Sequence, residues 1–166
     1  MKPTEADRVL QQHTPVVMVP LFGEFVPLAD TGHRYLAARD GLWLEVRRPW
    51  LHLIWPFARQ QAVQMPCGTL RKTVEVAFGK VPSECLSEFL ADAVEAHPHE
   101  VGAVVVWNEA TGSLEYRLRQ TVEASRGHLR ALWPTLADGE WVVIDLHSHG
   151  GLDAFFSSTD REDTGT

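Results

Sequence analysis

The rhythm of apolar and polar positions changes near residue 80. Upstream, residues 1–30 are rich in proline, and Thr14-Pro15-Val16-Val17-Met18-Val19-Pro20-Leu21-Phe22 interleaves apolar residues with breakers, a pattern that predicts an extended arm. Tyr35-Leu36-Ala37-Ala38 and Leu42-Trp43-Leu44-Glu45-Val46 then flank Arg39-Asp40-Gly41. This reads as a hairpin over His33 to Val46 with Asp-Gly as its turn. A further strand is predicted over Trp50 to Ile54, after which Pro56, Pro66 and Gly68 break the pattern, and Arg71 to Phe78 can form another.

Downstream, Pro82 and Ser83 open a helix in which Leu86, Phe89, Leu90, Ala93 and Val94 recur at three- and four-residue steps on one face, and Pro98 ends it. Val101 to Trp107 follows as a strand. Asn108 to Gly112 turns the chain, so that Leu114 to Thr121 can pair back as a hairpin. Ser125 to Leu132 is predicted as a short helix. Trp141-Val142-Val143-Ile144-Asp145-Leu146 is an apolar run between Asp138-Gly139 and Gly150-Gly151, as expected for a largely buried strand ending in a loop. The expected organisation is a β-rich, proline-containing region over 1–80 and an α/β domain over 81–166.

Composition narrows the classes. A chain of 166 residues with 45% hydrophobic content suits a globular protein with one well-buried domain, or a small domain with an appendage. The net charge of -7 gives no support for general nucleic-acid binding, which needs a basic face; a local basic patch near Arg47-Arg48, Arg59 and Arg71-Lys72 stays open, with solubility the usual cause of such scattered charge. Cys67 and Cys85 are far apart and form no C-x-x-C, which argues against a cysteine-rich zinc site and leaves a single disulfide open. With no signal peptide and no apolar stretch of membrane-spanning length, the expectation is a cytoplasmic chain with reduced thiols and no membrane partner. Trp43, Trp50 and Trp55 suit core packing, with a partner surface as the alternative.

The candidate chemistry sits at the end of the last apolar run, in His147-Ser148-His149-Gly150-Gly151-Leu152-Asp153-Ala154-Phe155-Phe156-Ser157-Ser158-Thr159-Asp160. Residues two apart on a strand face the same way, so His147 and His149 can present both rings to one point. The stretch from His149 to Asp160 is long enough for a turn and the start of a helix, which can return the Asp160 carboxylate to that point. Two imidazole nitrogens and one hard oxygen suit zinc, and three protein ligands leave a fourth position open for water, as catalytic rather than structural sites do. The bland readings are a polar strand terminus for the histidines, a helix N-terminus for Ser157 and Asp160, and a helix-end charge for Glu100. A serine hydrolase is disfavoured because no G-x-S-x-G surrounds Ser148, Ser157 or Ser158. The remaining histidines read as surface or packing residues. Asp145 and Asp153 are the nearest carboxylates that could orient the imidazoles.

His-x-His, seven residues, then Ser-x-x-Asp resembles the JAMM signature of the MPN family (Mov34/PAD-1, also called JAB) of zinc metalloproteases. That family also has an upstream glutamate in a Pro-x-Glu segment between its helix and first strand, which Pro98-His99-Glu100-Val101-Gly102 resembles. The phrase His147-Ser148-His149-Gly150 with Ala154-Phe155-Phe156-Ser157-Ser158-Thr159-Asp160 is also similar to the MPN-type members of the bacterial PRTRC cassette, which travel with ThiF-like and ParB-like proteins.

The resemblance covers about half of the chain. It implies an MPN-like (cytidine-deaminase-like) mixed sheet flanked by helices, with His147, His149 and Asp160 as zinc ligands, Glu100 as general base and Ser157 as hydrogen-bond donor beside the water. The implied reaction is hydrolysis of a peptide or isopeptide bond, with processing or removal of a ubiquitin-like modifier as one form. A peptide or ubiquitin-like protein is then the substrate, and a ThiF-like activating enzyme of the same cassette is the implied partner. The resemblance further implies that the C-terminal part of the domain is missing, since the family continues past the aspartate while this chain stops six residues later at Thr166. Proline usually follows the second histidine; Gly150-Gly151 here predicts a more mobile loop. Two rivals stay open: a non-catalytic MPN-like scaffold that binds partner proteins, and a zinc amidohydrolase or deaminase acting on a small molecule.

Overall fold

The computed structural model describes residues 2–59 and 64–152, and the chain divides into two compact units, Met1–Ala77 and Phe78–Thr166. Both helices and strands are present, so the protein is of mixed α/β class. Among the described residues no helix is long and apolar enough to cross a membrane. Cys67 and Cys85 are free and buried, one in each unit.

The first unit is built on a five-stranded sheet in sequence order, β1 (Val16–Met18), β2 (Gly32–Ala38), β3 (Gly41–Arg48), β4 (Leu51–Arg59) and β5 (Thr73–Val76). Only β1–β2 is parallel; the other pairs are antiparallel. A helix, α1 (Glu5–His13), precedes the sheet where an extended arm was expected. Its cause is local. The Thr4 hydroxyl accepts the Asp7 amide at 3.2 Å while the Asp7 carboxylate accepts the Thr4 amide at 2.7 Å, a reciprocal cap that satisfies two otherwise orphaned donors.

The hairpin turn also differs in detail from the expectation. Ala38 pairs with Gly41, so Arg39-Asp40 form the two-residue turn and Gly41 is the first residue of β3. A side chain on Gly41 would strike the Ala58 carbonyl oxygen of β4, and its φ of 132° disfavours any other residue. Strand β4 runs through Pro56 instead of ending before it. Pairing with β3 shifts register between Leu42 and Trp43, and β5 accompanies β4 only as far as Ile54, so the missing Pro56 amide interrupts no β4–β5 rung.

Val19, Leu36, Ala38, Trp43 and Ile54 form the apolar core, with Phe25 and Leu70 packed on it. Burying each large side chain of this kind contributes roughly 1.5–3 kcal/mol. The tryptophans divide: Trp43 is buried and donates to Asp40 at 2.8 Å, whereas Trp55 is 44% exposed beneath the Lys72 ammonium. Beside the apolar core runs a charged row. Arg34 donates to Glu45 at 2.7 Å, His52 Nε2 lies 3.1 Å from the other Glu45 oxygen, and His52 Nδ1 lies 3.5 Å from Glu75. The Leu28 amide also donates to Glu45 at 2.8 Å.

The second unit opens with α2 (Ser83–Ala96), close to the predicted helix. Of its apolar stripe, Leu86, Leu90 and Val94 are 50, 62 and 77% exposed, Phe89 and Ala93 are half-buried, and Cys85 is its buried residue. The helix is held to the sheet partly by the Tyr116 hydroxyl, which donates to Asp92 at 2.7 Å; burial and that carboxylate raise the phenol's pKa. The sheet has the order β10 (Glu140–His147), β6 (Gly102–Asn108), β7 (Leu114–Leu118), all antiparallel. Central β6 is buried from Gly102 to Trp107, as a strand covered on both faces must be.

Residues 121–131 form a second hairpin, β8 (Thr121–Ala124) and β9 (Leu129–Ala131), where Ser125 to Leu132 was expected to be helical. Gly127 lies in the middle of that segment and disfavours helix by roughly 1 kcal/mol. The Ser125 amide instead donates to the His128 carbonyl at 2.8 Å and closes the turn.

Candidate metal centre

The site is assembled where β10 leaves the sheet beside the chain that enters β6. His147, the last residue of β10, pairs with Gly102, the first of β6. One step further, the Ser148 amide donates to the Val101 carbonyl at 2.9 Å. Both strands end at this point, with Glu100 just before Val101 and His149 just after Ser148, and the period of two places His147 and His149 on the same side.

The two rings meet accordingly. The centroids of His147 and His149 are 5.0 Å apart and their planes are tilted by 52°. Two imidazoles bound through one nitrogen each to a single tetrahedral zinc, at about 2.0–2.1 Å per bond, would have centroids separated by about 5 Å. The described donors therefore fit the half of a zinc site that they can supply. Among the described residues no three His, Cys, Asp or Glu side chains gather as a full site would require. Asp160, Ser157 and Asp153 lie outside the described residues.

Glu100 is buried, 7% exposed, at the junction between α2 and β6. Its amide donates to the Ser125 carbonyl at 3.0 Å, which ties it to the β8–β9 turn that was expected to be a helix. Leu129 of β9 closes on Gly102, where an added Cβ would stand 2.9 Å from the leucine methyl. Gly102 follows Glu100 by two residues, so a side chain there would have to displace the Leu129 methyl. Asp145 is paired with the Arg119 guanidinium at 3.3 Å, while Arg119 stacks 4.3 Å from the Trp133 ring. On the other side, Leu90, Ala93, Val94 and His97 face Ser148 and Gly150 across a groove of about 490 Å³.

Two functional features escaped sequence reasoning. Gly150 has φ +54, and a Cβ there would strike the Pro98 carbonyl oxygen, so the loop after His149 packs against the segment before Glu100. The Gly150-Gly151 pair was read as added mobility; at Gly150 it is the condition for close contact. The other feature is Ser148, whose hydroxyl accepts the Val101 amide at 3.0 Å. Its place between two histidines was the available signal.

Residues 82–165 match the family model of prokaryotic homologs of the JAB domain. The chain belongs to that family. Residues 4–77 match a second family model, a domain of unknown function, DUF2016. No curated protein and no solved structure matches the chain. Membership in the JAB family agrees with the MPN resemblance of the motif residues, and the family's members include metallopeptidases.

Proposed function

We propose that this JAB-family protein is a zinc-dependent hydrolase of peptide or isopeptide bonds with an MPN-like fold in its second unit. The observation that supports the reading is the pair of imidazoles, His147 and His149, at the end of β10 beside the chain that leads buried Glu100 into β6. His147, His149 and Asp160 would hold the ion. Zinc, when bound, would supply a water acidified to near neutrality, together with Lewis-acid polarisation of the carbonyl.

The chain's own residues do the remainder. Glu100 accepts the proton of the attacking water on its carboxylate and returns it to the departing amine, a role that calls for a positioned group within hydrogen-bond reach. The Ser157 hydroxyl donates to the oxyanion that develops on the carbonyl carbon's oxygen. Burial of Glu100 keeps bulk water from competing for that proton. The substrate we propose is a peptide or a ubiquitin-like protein, and the proposed partner is a ThiF-like activating enzyme.

The test is zinc content of the purified 166-residue chain, alone and as His149→Ala and Asp160→Ala. Near one zinc per chain, lost in both variants, is expected. A chain that takes up no zinc on reconstitution would withdraw the hydrolase reading and leave a JAB-like scaffold that binds partner proteins.

A further inference from the structure

Ser148 lies between the two imidazoles in sequence, yet alternation along an extended chain turns its side chain to the other face. Its contacts show a specific use of that position. In an antiparallel pair of this type both residues exchange amide-to-carbonyl bonds. Here one half of the exchange is present, Ser148 amide to Val101 carbonyl at 2.9 Å. The other half is replaced: the Val101 amide donates at 3.0 Å to the Ser148 hydroxyl rather than to the Ser148 carbonyl. The ladder therefore closes through a side chain, and the backbone after Ser148 is released to turn at Gly150 against Pro98.

We infer that Ser148 is a positioning residue that fixes the separation between Glu100 and the imidazole pair. Val101 is bonded directly to Glu100, and Ser148 is bonded directly to both histidines, so these two hydrogen bonds tie the segment that carries the base to the segment that carries the ligands. Val101 is itself buried. Removing the hydroxyl leaves its amide with no acceptor at the place where β10 diverges, and the amide can regain one only by moving the His147–His149 segment. The metal-related part of this inference rests on the zinc reading above; the hydrogen-bond part does not.

The decisive comparison uses Ser148→Thr and Ser148→Val in the full chain, which match each other in shape and differ in the hydroxyl, with Ser148→Ala alongside. Two quantities are read: hydrogen exchange at the Val101 amide, and affinity for zinc alone by competition with a chromophoric chelator. Threonine should keep Val101 protected and zinc affinity within about threefold of the parent. Valine and alanine should lose that protection and bind zinc about 10–100-fold more weakly, the range expected when a supporting partner of a metal ligand is removed. Cobalt(II) in place of zinc should show an altered visible spectrum in valine but not in threonine, a change that loss of stability alone does not produce. The inference is overturned if valine retains parental zinc affinity and Val101 protection, or if threonine is as impaired as valine. If the parent chain binds no zinc, the hydrolase reading falls, while the exchange at Val101 in the threonine and valine variants still decides the role of Ser148.

Discussion

Among the described residues each unit buries one glutamate, and the two are held in opposite ways. Glu45 is fully buried and its carboxylate is occupied: Arg34, the Leu28 amide and His52 all address its oxygens. Glu100 is nearly as buried, but what fixes it among the described residues is its backbone, through the Ser125 carbonyl. A carboxylate whose lone pairs are filled is a structural anchor. One held by its main chain, beside the strand end that carries the imidazoles, suits the role proposed above for Glu100. Burial alone does not distinguish the two; the partners do.

That contrast can be broken by experiment, beginning with the larger effects. Glu100→Gln should lower peptide or isopeptide hydrolysis by about 10²–10⁴-fold, the usual worth of a positioned general base, while zinc content and urea unfolding stay near parental. Unchanged turnover with metal bound would end the assignment of Glu100. Glu45→Ala should do the reverse, leaving zinc uptake intact and destabilising the first unit by on the order of 3 kcal/mol, because Arg34 and His52 lose the charge they face. A loss below about 1 kcal/mol in denaturant titration would show that the charged row is incidental.

Gly150→Ala should cost about 1–3 kcal/mol from the left-handed backbone, plus the clash with Pro98, and should weaken zinc binding in step. An alanine variant with parental stability and affinity would restore the picture of a loose loop. The smallest expected effect concerns Arg117, which donates to Glu140 from β7 at 2.9 Å. That guanidinium, with the Ala137 amide, holds the Glu140 pKa at about 2 against an ordinary 4.5. Folding therefore favours ionised Glu140. Its contribution is complete above pH 4.5 and disappears as the pH falls toward 2. Arg117→Ala should lower stability at neutral pH and flatten the acid limb between those values. Parallel acid limbs in the two proteins would contradict the pairing.

Much of the second unit was legible because its signals are short in range. Pro82-Ser83 and Pro98 bracket α2, and the Asn108–Gly112 turn is written in residues that hydrogen-bond locally: the Asn108 carboxamide oxygen accepts the Ala110 and Thr111 amides at 3.0 and 3.1 Å. The meeting of the His147 and His149 rings was legible for a related reason, since a two-residue spacing at a strand end fixes which rings share a face. What was not legible depended on distant backbone. Nothing in Ser125–Leu132 alone reveals that Thr121–Ala124 will claim it as a strand partner, nor does Gly150-Gly151 announce that Pro98 stands behind the first glycine. The exposure of Leu86, Leu90 and Val94 was hidden for the same reason: helical spacing marks a stripe without saying what covers it. Helix α1 is the exception, because Thr4-Glu5-Ala6-Asp7 carries its own cap signal and the prolines around it drew attention away.

The proline in β4 bears on how the first unit behaves in company. Beyond Ile54 the strand has outrun β5, and Trp55 and Phe57 stand on it 44 and 60% exposed. Such a stretch ordinarily invites a second chain to add a strand and seed aggregation. Pro56 has no amide to offer an incoming strand, and the irregular pairing with β3 at this point distorts the template further. The same residue that looked in the sequence like the end of a strand thus acts as its gatekeeper, allowing aromatic surface to be displayed without an open invitation to polymerise.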